Sequence, residues 1–433
     1  MEKSSETGKP VPVRLALVLC PPLWATLPPA GIAYLAESAE RAGHEVSVFD
    51  LNVTIYNLTT PRYRKDWTVN ARYLGEEFCG WCFREFRAVI DDLISSIVKQ
   101  KIQYAGFSLF KSNRNFTSAL IRRLRTEQPG VKIILGGPEV FALKAGDELE
   151  TIPADYYVIG EGEKPLLEIL AGSPERVYEF RQQAVPDFFP QYRAFDLARY
   201  PGRGRLPVVA SRGCINSCAF CAERLLFKGY RWRRAEEVFT EISRHYRQHG
   251  VQHFVFYDSL FNGNLQNLEK ILELLLAARL PVTWEAQVYI RDDMTAELLS
   301  AMKKSGCVNL FIGLESGSDT VLKMMNKRFT AGRAAFFLQQ LFDAGLHYEI
   351  SLILNYPGEG EAEFLETVEF IRQHRHLIKK IAQVNAFRPY PGTAIVPVPG
   401  YHPGTGRGRI EKLLEVFKDE GIPYTASYID NLV

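Results

Sequence analysis

A chain of 433 residues with 46% hydrophobic, 24% charged and 12% aromatic residues has the composition of folded soluble proteins and the length of two or three domains, which excludes a disordered polymer. Fifty-two Lys plus Arg against 50 Asp plus Glu leave a formal charge of +2, so no global field recruits nucleic acid or an anionic membrane; any such contact needs a local patch. The longest apolar runs, such as 13–19 with Arg14 inside it, fall far short of the roughly 20 residues of a membrane span.

The polar start MEKSSETGKPVP has no apolar signal core, so the expected compartment is the cytoplasm, where thiols stay reduced. Residues 13–19 form an apolar run ending in Cys20-Pro21-Pro22. Residues 31–43 are apolar at helical spacing with a Gly stop, and 45–51 read as a strand. The alternation resumes with helix 83–99, strand 104–110, helix 113–127, strand 131–136 and strand 156–159, which runs into Gly160-Glu161-Gly162-Glu163. Five strands with intervening helices imply a doubly wound parallel sheet, α/β and Rossmann-like, with its ligand crevice beyond the strands' carboxyl ends. Residues 52–81 break the rhythm with aromatics and no clean period, as an inserted lobe or lid would.

Periodicity lapses again at 185–205, where Pro, Arg and aromatics dominate, a linker composition. Six strand-helix units follow, with strands expected at 208–211, 254–258, 283–289, 309–315, 348–354 and 381–387. Helices fill the gaps at 235–249, 265–278, 295–304, 331–344 and 361–374. Six consecutive units fit a partial parallel (β/α)6 barrel whose chemistry sits at the strands' carboxyl ends. The expected division is 1–184, a linker at 185–205, the barrel at 206–395 and a tail or cap at 396–433, with a helix at 409–420.

Seven cysteines are too few for a disulfide scaffold, and their distribution is the informative part. Cys214, Cys218 and Cys221 fall within the run Ser211-Arg212-Gly213-Cys214-Ile215-Asn216-Ser217-Cys218-Ala219-Phe220-Cys221, directly after the first barrel strand. Three thiolates on one short loop suit one compact metal centre of zinc or iron–sulfur type. Zinc as a structural site wants four protein ligands, and no second CxxC or HxxxH lies nearby. A cubic [4Fe–4S] cluster held by three cysteines leaves one iron open for a substrate or cofactor.

This spacing at this position resembles the radical S-adenosylmethionine (SAM) enzymes. The resemblance implies that Cys214, Cys218 and Cys221 hold a [4Fe–4S] cluster whose open iron is chelated by S-adenosyl-L-methionine, and that one electron then releases a 5′-deoxyadenosyl radical. It extends over roughly 206–393. Phe220 stands where the family keeps an aromatic residue near adenine, and Tyr257-Asp258-Ser259 where related enzymes bind the SAM amino group. The run 284–327 (WEAQVYIRDDMTAELLSAMKKSGCVNLFIGLESGSDTVLKMMNK) is similar to the family's third and fourth units, and Glu315 stands where a carboxylate can accept from ribose or the ammonium. Asn355-Tyr356-Pro357-Gly358-Glu359 and Arg388-Pro389-Tyr390-Pro391-Gly392-Thr393 end the fifth and sixth strands in family-typical form, with Arg388 a further SAM contact. Singly, Pro357-Gly358 is an ordinary turn and Glu315 an ordinary helix-start charge.

The first domain resembles the cobalamin-binding domain of one large subgroup, through Pro21-Pro22, Gly31, Ser108, Gly136-Gly137-Pro138 and Gly160-Glu161-Gly162-Glu163. The resemblance implies cobalamin contacts from Pro21, Pro22, Ser108, Gly136, Gly137, Glu161 and Gly162. The Asp-x-His-x-x-Gly motif that supplies a cobalt ligand elsewhere is absent, the sequence there reading Phe110-Lys111-Ser112-Asn113-Arg114-Asn115. A fold of this type that has lost its ligand is the bland alternative.

Cys20, Cys79 and Cys82 invite comparison with methylthiotransferases, which carry a second cluster, but buried thiols account for them and Cys307 as well. Lys228, Arg231, Arg233 and Arg234 read as a solvated helix start or a grip for an anionic substrate, and His44, His245, His249 and His253 as solvent or helix-end residues. The resulting expectation is cobalamin-dependent methyl transfer to an unactivated carbon or phosphorus, on a small-molecule, lipid or peptide substrate, with an electron donor such as flavodoxin or ferredoxin. The alternatives are a non-methylating radical rearrangement, cyclisation or oxidation, methylthiolation, and a zinc-stabilised binding module without catalysis.

Overall fold

The computed structural model describes residues 11–65, 67, 76–180, 184–393, 395 and 407–425. Parts of the 52–81 insertion and of the 396–433 tail therefore lie outside the described residues. The chain divides into two compact units, Met1–Gln183 with Phe189–Pro201 and Ala184–Phe188 with Gly202–Val433.

The first unit is a six-stranded sheet of β1 (Arg14–Leu19), β2 (Glu45–Asp50), β3 (Tyr104–Ser108), β4 (Lys132–Gly136), β5 (Tyr156–Ile159) and β6 (Val177–Glu179). All pairs are parallel, in the order β2-β1-β3-β4-β5-β6. The order reverses between β1 and β3, which places the ligand crevice of such a sheet at their carboxyl ends. Alternation along β1 explains its unbroken apolar run: Ala16 and Val18 enter the core under Ile94, Leu120 and Ile121, whereas Leu15, Leu17 and Leu19 pack with Ile32, Leu166 and Ile169. Covering both faces of a parallel sheet requires this pattern.

Four expectations need correction here. The run 83–99 is two helices, Glu76–Glu85 and Arg87–Lys99, broken at Phe86. The insertion is helical where described, with Leu51–Leu58 capped by the Asp50 side chain; its aromatics blur the period because they pack on one another, as Tyr56, Trp67, Phe78 and Trp81 do. The short helices Pro138–Ala145 and Glu163–Leu170 and the edge strand β6 have too few residues to show a period. Finally, the linker-like stretch is fastened along most of its length. Tyr200 Oη donates to Asp50 Oδ2 (2.7 Å), and Arg199 donates to Thr54 Oγ1 (2.9 Å), so 189–201 belongs to the first unit.

The second unit is a parallel partial barrel with strands in chain order: β7 (Arg205–Val208), β8 (His253–Phe256), β9 (Thr283–Val288), β10 (Cys307–Glu315), β11 (Tyr348–Leu354) and β12 (Ile381–Ala386). The first strand begins and ends three residues before the expected 208–211. Pro207 lies inside it, tolerated because β7 is an edge strand with one unpaired side. Ser211–Arg212 instead pairs antiparallel with Arg231–Trp232. Helices Ala235–His249, Leu265–Ala278, Ala296–Lys304, Ala331–Asp343 and Glu361–Gln373 alternate with the strands, within a residue of the periodic pattern. Gly250 in the left-handed region (φ +64) stops the first of them, as C-terminal glycines do. Among the described residues no helix is long and apolar enough to cross a membrane.

Candidate functional site at the barrel mouth

The ribbon Ser211–Arg212 with Arg231–Trp232 closes the base of a loop that carries all three clustered cysteines. Gly213 (φ +78) makes the approach possible, because a Cβ there would clash with the carbonyl oxygen of Gly229. Across the loop, Ala219 N donates to Met325 O (2.9 Å) and Asn326 Nδ2 to Ser217 O (2.7 Å). Cys214, Cys218 and Cys221 are free and half-buried. As bare thiols, burial pushes all three upward, Cys221 to about 11; a bound metal would have to displace those protons.

Among the described residues no three His, Cys, Asp or Glu side chains are gathered as ligands of one metal ion. Three thiols leave a structural zinc ion one protein ligand short, whereas a cubane held by three cysteines keeps one iron open, so the donor set suits a cluster.

Sequence reasoning missed Lys327. Its side chain is only 5% exposed, and its Nζ donates to Gly313 O (2.9 Å) and to Glu315 Oε1 (3.3 Å). The ammonium lies 5.6 Å from the Phe220 ring centroid and 5.7 Å from those of Tyr289 and Phe329, a cation cage. Burial works against its charge, but Glu315, Cys218 and Tyr289 outweigh that and hold its pKa above the ordinary lysine value. Its positive field also acts downward on Cys214 and Cys218. Nothing local marks this lysine, because its cage comes from residues scattered between 220 and 329.

Of the expected SAM contacts, the structure brings Phe220 and Glu315 together around Lys327. Glu315 is itself in the left-handed region (φ +70) and accepts from Ser351 Oγ at 3.1 Å. Asp258 is buried and turned inward: Ala210 N donates to its Oδ2 (3.0 Å) and Ser211 Oγ to its Oδ1 (2.5 Å), so it ties the entry to the cysteine loop. Burial raises it to about 7. Ser259 donates to Glu223. Arg388 stands exposed just beyond β12. At the end of β11, Arg409 of helix Arg407–Asp419 donates to Asn355 Oδ1 (3.3 Å) and Glu359 O (3.2 Å), fastening that loop.

Under the loop the reading of a solvated patch is overturned in part. Lys228 and Arg234 are exposed, but Arg233 is buried and paired with Glu241, the side chains being 1% and 0% exposed. Arg233 Nη1 also donates to Val209 O (3.1 Å). His245, expected near solvent, is fully buried with Nε2 4.0 Å from Glu241 Oε1. The charge pattern of helix Ala235–His249 looks like a surface because its buried face includes an ion pair.

In the first unit, Pro21, Pro22, Ser108, Gly136, Gly137, Glu161 and Gly162 all lie at or just beyond the carboxyl ends of β1, β3, β4 and β5. The loops after β3 and β4 are in contact: Leu109 N donates to Gly136 O (2.7 Å), and a Cβ on Gly137 (φ +104) would sit 2.5 Å from Leu109 O. Asn113, fully buried, accepts from Phe110 N (2.8 Å) and donates to Cys20 O and Ser108 O (both 3.1 Å). Ser112 Oγ donates to Pro22 O (2.6 Å), and Leu23 N to Asn52 Oδ1 (2.8 Å). Apart from Glu161, the rim is thus small residues and neutral amides, which fits a flat macrocycle edged with carboxamides. The only histidine before residue 245, His44, accepts from Val13 N (3.3 Å) at the amino end of β1, so this crevice offers no imidazole to a metal.

Cys20 directly follows β1, and Cys79 and Cys82 share the helix Glu76–Glu85. All three pack in one apolar core, where burial raises Cys20 to about 12 and Cys79 to about 11. Cys307 is likewise buried and raised to about 12.

Comparison with known proteins follows the two units. Residues 208–371 match the Radical SAM superfamily, and residues 23–170 match the B12 binding domain. An uncharacterized methyltransferase of Pyrococcus horikoshii is 25% identical over 402 residues, 86% of this chain and 78% of that protein. A threonylcarbamoyladenosine tRNA methylthiotransferase of Thermotoga maritima is 27% identical over 334 residues, 70% of each. The solved structure of the radical S-adenosylmethionine methyltransferase TsrM from Kitasatospora setae, with cobalamin and a [4Fe–4S] cluster bound, superposes with a TM-score of 0.67 at 16% identity, covering 89% of this chain and 77% of that one.

Proposed function

Because the chain belongs to the radical SAM superfamily and carries a B12 binding domain ahead of its barrel, we propose that it is a cobalamin-dependent radical SAM methyltransferase acting on an unactivated carbon or phosphorus centre. The observation that carries this reading is the pairing, in one chain, of a three-cysteine loop at a barrel mouth with a histidine-free, amide-rimmed crevice at the switch point of the first sheet. When bound, the cluster and SAM supply a 5′-deoxyadenosyl radical that takes hydrogen from the substrate, and cobalamin supplies the methyl group.

The chain's own residues do the rest. Cys214, Cys218 and Cys221 hold the cluster. Lys327 offsets the negative charge that thiolates and a SAM carboxylate bring into a low-dielectric site, and Glu315 and Ser351 orient it. The aromatic walls Phe220, Tyr289 and Phe329 exclude water from the same spot. Asp258 and Ser259 brace the loop from below. Pro21, Pro22, Ser108, Gly136, Gly137, Glu161 and Gly162 offer backbone and small side chains to the macrocycle; Arg388 is a SAM contact only from the rim.

The methylthiotransferase reading is disfavoured by Cys20, Cys79 and Cys82, which are packed as core thiols. The deciding experiment is product analysis with the reconstituted, cobalamin-loaded enzyme. S-adenosylhomocysteine and 5′-deoxyadenosine in equal amounts are expected; 5′-deoxyadenosine alone refutes methyl transfer and leaves a radical rearrangement, cyclisation or oxidation.

A further inference from the structure

Of the three clustered cysteines, Cys214 lines a surface cavity of about 410 Å³ on the barrel unit. Its other walls include Ile215, Phe227, Arg224, Lys228 and Arg328. Ile215 is 43% exposed, and the three cations stand at the surface. No acidic side chain is among the lining residues; the neighbouring Glu223 is turned to Ser259. The whole chain is close to neutral, at +2, so three cations around an apolar centre are a local feature rather than a share of a general field.

We propose that this cavity and its rim are the docking site of a small acidic electron carrier of the flavin or iron–sulfur type. The proposal rests on Cys214 holding a redox cluster. An electron donor must approach the cluster closely, and here a cluster ligand is itself part of the surface. An apolar centre with a cationic rim matches a carrier whose cofactor edge is apolar and whose surround is acidic. One electron passes from the reduced carrier to the oxidised cluster; the carrier is oxidised by one electron, and no proton or covalent bond changes hands.

The test mixes the anaerobically reconstituted full chain with a photoreduced flavodoxin and, separately, with dithionite, following cluster bleaching. The variant Arg224→Glu/Lys228→Glu is expected to slow reduction by flavodoxin about tenfold or more at low ionic strength, with the gap closing as salt rises. Iron content and the dithionite rate stay unchanged. Equal flavodoxin rates in the two proteins overturn the proposal. So does stoichiometric binding of inorganic phosphate that the variant loses while its flavodoxin rate is kept, which makes the cavity a small-anion site. If the double variant does not fold, Lys228→Gln and the salt dependence of the unaltered chain decide in the same way. A chain that takes up no iron fails on the cluster itself, an outcome that iron analysis separates from a failure of docking.

Discussion

The two parallel sheets hold their carboxyl-end loops by different chemistry. Around the barrel mouth the fasteners are buried ionisable groups: Arg233 with Glu241, Lys327 with Glu315, and Asp258 between Ala210 and Ser211. Around the ends of β1, β3 and β4 in the first unit they are neutral: Asn113 between the ends of β1 and β3, Asn52 on Leu23, Ser112 on Pro22, and backbone against backbone at Gly137, with a carboxyl, Asp50, only at the outer strand β2. The difference tracks what each site is proposed to hold. Anionic sulfur and a zwitterion need compensating charge in a dry place, whereas a macrocycle rimmed with amides needs room and neutral hydrogen-bonding partners.

The largest effect expected from breaking this contrast lies at Arg233. Arg233→Met removes the cation that offsets the burial of Glu241 and leaves that carboxyl in the core with only His245 beside it, so the second unit is expected to lose about 3–5 kcal/mol. The double variant Arg233→Met/Glu241→Leu is expected to recover most of that loss, because desolvation of both ions disappears with them. Denaturant unfolding of the three proteins measures it. A single variant as stable as the parent would mean that the pair is not a fastener.

How far the sequence reveals such devices depends on how local they are. Helices Ala235–His249 and Leu265–Ala278 are readable to the residue, because an apolar face repeats along each and a glycine or an asparagine cap marks an end. The cysteine loop is readable because three thiols within eight residues, next to a glycine, mark a metal centre on their own. The pairing of Arg233 with Glu241 spans eight positions, yet both look like ordinary surface charges on a helix start. Lys327 is invisible: its cage is assembled from Phe220, Tyr289 and Phe329, which span over a hundred residues. The displaced first strand shows the same limit, since only the pairing of Ser211 with Trp232 reveals that the apolar run does not continue the sheet.

The next effect is a pH dependence confined to the barrel unit. Asp258 has an ordinary value of 3.8 and is raised by burial to about 7. The folded state therefore binds its proton more tightly than the unfolded state does. The stability this gives is fully present below about pH 4 and is lost as pH rises toward 7, at a slope of at most about 1.4 kcal/mol per pH unit. Asp258→Asn should flatten the pH profile of second-unit stability across that window relative to the parent. Parallel profiles would show that Asp258 is already ionised in the folded protein, and would remove it from the group of costly buried charges.

The smallest effect sharpens the comparison from the other side. Asn113→Ala strands Phe110 N and the carbonyl oxygens of Cys20 and Ser108, so the first unit is expected to lose about 1–3 kcal/mol. All the groups involved stay neutral from roughly pH 5 to pH 8, so the loss should be the same at both ends, whereas Asp258→Asn changes sign or size with pH. The loss should also be accompanied by weaker retention of added cobalamin, with iron content unchanged, because Asn113 ties the two strand ends on which the macrocycle is proposed to rest. If the Asn113→Ala penalty instead follows pH, the charge of a neighbouring group reaches that crevice, and the division into an ionic site and a neutral one fails where it is simplest to test.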